Sequence, residues 1–220
     1  MKERCAIFDF DGTLFDSMYV WDTAGESYLR SLGKEPSSTL REEIAAMSLQ
    51  QAAVYFKEEY GLPLTAEEIV NGIDRTVERA YLNDILPKAG AAEFLEQMQK
   101  ANIPMCIATA TDRYLVEAAL RRCEMDKFFD AIFTCSEVGA SKNEPVIYRS
   151  AMDHFHAEHD NTLVFEDAFH AAQTAKADGF YVIAVMDTSE KKQAELRHIS
   201  DFYIRSYEDV KEFWRFASAI

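Results

Sequence analysis

The chain has 220 residues, 48% of them hydrophobic, enough for one sizeable domain or for a core domain that carries a smaller insert. Its 38 acidic and 23 basic residues leave a net charge of -15, which repels nucleic-acid backbones and anionic lipid and sets both aside as expected partners. The same charge repels a phosphorylated ligand, so an anion site here needs local cations or a metal.

Five short apolar runs mark the chain. In order they are Cys5-Ala6-Ile7-Phe8, Met105-Cys106-Ile107-Ala108, Ala131-Ile132-Phe133, Leu163-Val164-Phe165 and Tyr181-Val182-Ile183-Ala184-Val185. Each is continuous rather than alternating, the pattern of a strand buried on both faces. Helix-period stretches separate the later runs, at 91–100, Leu115 to Arg122, Val146 to His154 and Ala171 to Lys176. The expected fold class is therefore α/β, a doubly wound parallel sheet with helices on both sides. Residues 14 to about 88 interrupt this rhythm with amphipathic patterns at Leu40 to Met47, Leu49 to Tyr60 and Ile69 to Tyr81, and with a capping-box form at Thr65-Ala66-Glu67-Glu68. They predict a helical subdomain over 15–87, inserted in a core made of 1–14 and 88–220, with Pro87 at the return. Asp9 breaks the first apolar run, so it does not read as a signal peptide, and no segment approaches the roughly 20 apolar residues of a membrane span. Cys5, Cys106, Cys123 and Cys135 show no close pairing. A reduced, cytoplasmic chain is expected.

In open α/β sheets, ligands bind beyond the carboxyl ends of the strands. The first run is followed by Asp9-Phe10-Asp11-Gly12-Thr13, the second by Thr109-Ala110-Thr111, and the fourth by Glu166-Asp167, while Lys142 lies between the third and fourth. Acids, a hydroxyl and a lysine thus gather at one edge. The run IFDFDGTLFDS resembles the first motif of the haloacid dehalogenase superfamily, and the other three groups resemble its second, third and fourth motifs in order. That resemblance implies a Rossmann-like core with a C1-type helical cap enclosing the cleft.

It also implies a magnesium-dependent phosphatase acting on a small phosphorylated metabolite through an aspartyl-phosphate, by a chain that is a monomer or weak homodimer. On the family pattern Asp9 is the nucleophile, and Asp11 the general acid and then base. Gly12 permits the tight turn, and Thr13 lies in the phosphate-binding loop. Thr109 and the Ala110 N–H hold phosphoryl oxygens, while Lys142 neutralises phosphate and nucleophile. Mg²⁺ is expected on Asp9, Asp167 and the Asp11 carbonyl, with Glu166 ligating through water or orienting the shell. Three departures stand out: Asn143 and Val146 in the lysine segment, Ala168 after the acidic pair, and Ala171 where the family has Gly. A phosphomutase resembling β-phosphoglucomutase is the alternative reading, and a non-catalytic binding module on the same fold is the third. Met18, Trp21, Asp22, Arg41 and Ser48 are candidate cap contacts.

Overall fold

A computed structural model describes residues 4–44, 47 and 49–220, so Ser48 lies outside the described residues. Strands β1 (Cys5–Phe8) and β2 (Phe15–Asp16) precede four helices, α1 (Met18–Ser31), α2 (Leu40–Ile44), α3 (Leu49–Glu59) and α4 (Ala66–Asn83). After β3 (Leu86–Pro87) come α5 (Ala91–Lys100), β4 (Met105–Thr109), α6 (Arg113–Arg122), β5 (Ala131–Thr134), α7 (Cys135–Val138) and α8 (Val146–His154). The chain ends through β6 (Thr162–Glu166), α9 (Phe169–Asp178), β7 (Tyr181–Val185), α10 (Gln193–Ile199), β8 (Phe202–Ile204) and α11 (Lys211–Ala219). It divides into two compact units, Met1–Ser17 with Ile85–Ile220, and Met18–Asp84. No helix among the described residues is long and apolar enough to cross a membrane.

In the first unit six strands form one parallel sheet in the order β5-β4-β1-β6-β7-β8. The chain moves outward from β1 through β4 to β5, then crosses back to β6 on the other side of β1. That reversal makes a topological switch point beside β1, where the strand ends open a crevice. In register, Ile7 lies opposite Cys106 on one side and Val164 on the other. Their side chains share the face that packs on Ile147, Tyr148, Ala151, Ala172 and Ala175 of α8 and α9. One residue on, Phe8 and Phe165 stack at 4.1 Å on the opposite face, against Phe94 of α5 and Phe213 of α11. Period-two alternation thus sends small residues one way and large aromatic ones the other, with helices over both faces. All of β1, β4 and β6 is buried, which explains why their sequences are uninterrupted apolar runs.

Two features differ from the sequence expectation. The stretch read as strand-free holds β2 and β3, which pair antiparallel as Phe15 with Pro87 and Asp16 with Leu86. Two-residue strands carry no periodicity, and their partners lie far apart in sequence, so nothing local announces them. Because this pair belongs to the core, the units divide after Ser17 and after Asp84 rather than at the expected 14 and 87. The Lys88 backbone N–H donates to the Leu14 carbonyl at 2.8 Å, and its ammonium reaches Asp187 at 2.8 Å, tying the returning chain to the loop after β7. The sixth strand, β8, has three residues and was also not expected.

In the second unit the Thr65–Glu68 capping box forms at the start of α4 as the sequence predicts. Trp21 donates to the Tyr81 hydroxyl at 2.9 Å, and Arg41 lies 3.5 Å from Asp22. Gly72 of α4 meets the buried Tyr28 ring of α1 so closely that a Cβ there would overlap it. A Gly→Ala change in a helix interior ordinarily gains up to about 1 kcal/mol in propensity, whereas overpacking costs about 1–3 kcal/mol. Here the overlap should win. Gly72→Ala is expected to lower the melting temperature of the helical unit in circular dichroism; an unchanged or higher value would show that the Tyr28 ring swings aside freely.

Candidate active site

The loop after β1 is shaped by its own backbone. Gly12 adopts φ 73°, a left-handed conformation that a side chain would strain. The Leu14 and Phe15 N–H groups both donate to the Phe10 carbonyl at 3.0 Å, and the Phe10 and Phe15 rings stack at 4.4 Å. The Asp9 N–H is fixed by the Phe165 carbonyl at 3.0 Å, which anchors the loop to β6. Asp9 and Asp11 are thereby presented at the switch point.

Asp11 is held by a hydroxyl on each carboxylate oxygen. Ser17 donates to Oδ1 at 2.6 Å and Thr111 to Oδ2 at 2.5 Å. Thr111 is aimed in turn by its own N–H, which donates to the Thr109 hydroxyl at 3.0 Å. Ser17 lies just past β2 and Thr111 just past β4, so this clamp joins two strand ends.

The second cluster is denser. The Lys142 ammonium donates to Asp9 Oδ1 at 2.5 Å and to Glu166 Oε1 at 2.6 Å, all three side chains being buried. Tyr148 of α8 donates its hydroxyl to the same Glu166 oxygen at 2.6 Å. Thr13, expected near phosphate, gives its hydroxyl proton to Asp167 Oδ1 at 2.9 Å. Tyr207 braces the loop by donating to the Thr13 carbonyl at 3.1 Å.

Three carboxylates and one ammonium thus share a buried site. Burial penalises the Lys142 cation, but Asp9 and Glu166 outweigh that and hold it protonated, well above the ordinary lysine range. Burial pushes Glu166 up to about 7 despite Lys142, with the Asp9 charge adding to the rise. Asp167 is driven well above the carboxylate range by burial first, and then by the Asp9 and Glu166 charges.

Oxygens of Asp9, Glu166 and Asp167 lie within 4.8 Å of one another. Glu166 Oε2 is buried and meets no hydrogen-bond donor among the described residues. An orphaned buried acceptor needs an explanation, and a hard cation beside three carboxylates supplies one. The donor set fits a divalent metal that prefers oxygen.

The structure therefore brings Asp9, Lys142, Glu166 and Asp167 into contact, with Asp11 clamped beside them and the Asp11 carboxylate outside the three-acid group. Ala110 is exposed between β4 and α6, and that helix begins only at Arg113. Two of the departures fall at helix starts. Pro145 occupies the N-cap position of α8, and Ala168 caps α9 without a side-chain bond, while Glu190 reaches across to the Phe169 N–H at 2.8 Å. Sequence reasoning did not name Tyr148, Tyr207, Ser17 or Thr111 as site residues. The last two stand inside the quoted motifs, whereas the tyrosines carry no local signal.

Several known proteins are similar to this chain. The "Phosphorylated carbohydrates phosphatase" of Thermotoga maritima is 24% identical over 80% of this chain and 82% of its own length. The "(DL)-glycerol-3-phosphatase 2" of Arabidopsis thaliana is 29% identical over 94% of this chain and 89% of its own. A Thermotoga maritima structure assigned as a beta-phosphoglucomutase superposes with a TM-score of 0.84 at 22% identity, covering 98% of this chain and 99% of that one, which speaks to the fold. The model of the haloacid dehalogenase-like hydrolases matches residues 3–179, and the acids, hydroxyls and lysine gathered at the switch point lie within that span: the chain belongs to the haloacid dehalogenase-like hydrolase family.

Proposed function

We propose that the protein is a Mg²⁺-dependent phosphatase of a small phosphomonoester, with Asp9 as the residue that transiently carries the phosphoryl group. The observation that carries this reading is the contact of the buried Asp9 carboxylate with the Lys142 ammonium, beside two further acids. A carboxylate attacks phosphorus only once the phosphate charge is offset. The relatives named as phosphatases of phosphorylated carbohydrates and of glycerol 3-phosphate support a small, polar substrate.

In the first step an Asp9 oxygen forms a bond to phosphorus while the bond to the leaving oxygen breaks. Asp11 gives its proton to that oxygen and is left as a carboxylate. It then takes a proton from water, whose oxygen attacks the phosphoryl group, and the bond to Asp9 breaks to release phosphate. The Ser17 and Thr111 hydroxyls hold Asp11 in place for both transfers. Thr109, the Ala110 N–H and Lys142 receive the phosphoryl oxygens. Asp9, Asp167 and the Asp11 carbonyl would hold Mg²⁺, with Glu166 beside them, and the ion would offset charge on the phosphoryl oxygens. The same groups would serve a phosphomutase, in which the phosphoryl group returns to a sugar; release of inorganic phosphate from a sugar phosphate separates the two.

Asp9→Asn is expected to abolish turnover with the fold intact, because an amide cannot form the acyl-phosphate; more than about a hundredth of the wild-type rate would remove Asp9 from the nucleophile's role. Millimolar Mg²⁺ should raise the melting temperature by relieving repulsion among Asp9, Glu166 and Asp167, and the rise should vanish in Asp167→Ala. Equal curves with and without Mg²⁺ in both proteins would count against the site. General acid catalysis is typically worth about 10²–10⁴-fold, most where the leaving group is basic. Asp11→Asn should therefore slow single-turnover release of a sugar alkoxide far more than release of nitrophenolate, and equal slowing would deny Asp11 the proton transfer.

A further inference from the structure

Glu166 receives two donors on one oxygen and none on the other. The Lys142 ammonium and the Tyr148 hydroxyl both reach Oε1 at 2.6 Å, while Oε2 stays without a hydrogen-bond partner among the described residues. The terminal torsion of a glutamate is broad and roughly two-fold, so packing alone does not choose which oxygen faces which way. Lys142 is a flexible anchor that divides its donors between Asp9 and Glu166. Tyr148 is different. Its ring is locked in the core, 6.2 Å from Phe180, and among the described residues its hydroxyl bonds Glu166 alone. It stands six residues after Lys142, at the start of α8, so one segment delivers both donors to the same oxygen.

We infer that Tyr148 is a positioning residue for the metal, holding the Glu166 carboxylate so that its unpartnered oxygen is kept for the cation. Tyr148 touches neither substrate nor metal and acts through Glu166. This inference rests on the Mg²⁺ site proposed above, and it assigns Tyr148 a role beyond filling the core.

The test titrates Mg²⁺ into the full-length protein without substrate, following binding by calorimetry and by the shift in melting temperature. Tyr148→Phe keeps the ring and removes the hydroxyl. It should melt near the wild-type temperature in EDTA, yet bind Mg²⁺ about 10- to 100-fold more weakly, the usual effect of losing a partner of a metal ligand. Phe180→Leu loosens the same packing layer without touching the hydroxyl. It should lower the melting temperature in EDTA and leave the Mg²⁺ dissociation constant at the wild-type value. A Tyr148→Phe protein with wild-type Mg²⁺ affinity would overturn the inference while leaving the metal site standing. So would weakening of equal size in Phe180→Leu, which would trace the effect to packing, or a Tyr148→Phe chain that fails to fold, which would make the hydroxyl a structural partner rather than a positioning one. If the wild type itself does not bind Mg²⁺, the metal reading fails first and takes this inference with it.

Discussion

Three carboxylates, Asp9, Glu166 and Asp167, are buried within 4.8 Å of one another, and Lys142 is the cation that meets two of them directly. Like charges in a dry site repel strongly, and a buried charge left without its partner costs about 3–5 kcal/mol. The surrounding architecture answers that one constraint. Each acid ends or follows a strand at the switch point, where hydroxyls, an ammonium and main-chain groups can reach it without disturbing the ladder. Burial first, and then the neighbouring carboxylate charges, push Glu166 and Asp167 upward against the donors that reach them. A divalent cation at the proposed site would complete the balance, which would make metal binding a matter of folding energetics as well as chemistry.

Around that cluster the residues divide into two sets by environment. Asp11 has a hydroxyl on each oxygen and is not one of the three clustered acids, so its carboxylate is oriented by hydroxyl groups. Glu166 and Asp167 sit in full burial, where ionisation is unfavourable without a positive partner. Neighbouring acids whose surroundings differ in this way can take different tasks, one handling protons and the others charge. The proposed mechanism needs that separation, because a proton donor that also ligated the metal through its carboxylate would lose its proton.

The departures from the family pattern are resolved by contacts from elsewhere in the chain. The Phe169 N–H, at the start of α9, donates to the Glu190 carboxylate, twenty-one residues away, where the preceding Ala168 offers no hydroxyl. Val146 opens α8 directly after Pro145, and two residues later that helix sends Tyr148 to Glu166. The fold tolerates these substitutions because the groups that meet the three acids come from residues that the departures do not touch.

Much of this was legible in the sequence. Continuous apolar runs gave away β1, β4, β5, β6 and β7, since strands covered on both faces admit few polar residues. The helical insert showed itself through amphipathic periodicity and the Thr65 capping box. Asp9, Asp11, Thr109, Lys142, Glu166 and Asp167 stand out as candidates in the sequence because each ends or follows a strand or lies between two, where a parallel sheet presents its ligands. Other features depended on tertiary structure. The β2–β3 pair and β8 are too short to carry a period. Which hydroxyl holds which acid was also closed to sequence, because Thr111 meets Asp11 across 100 residues and Tyr148 meets Glu166 from a neighbouring helix. A tyrosine on a buried helix face reads as core. Its hydroxyl gains a specific task only when the sheet brings a carboxylate within 2.6 Å, and that distance is set by the packing of α8 on β1 and β4 rather than by any local pattern.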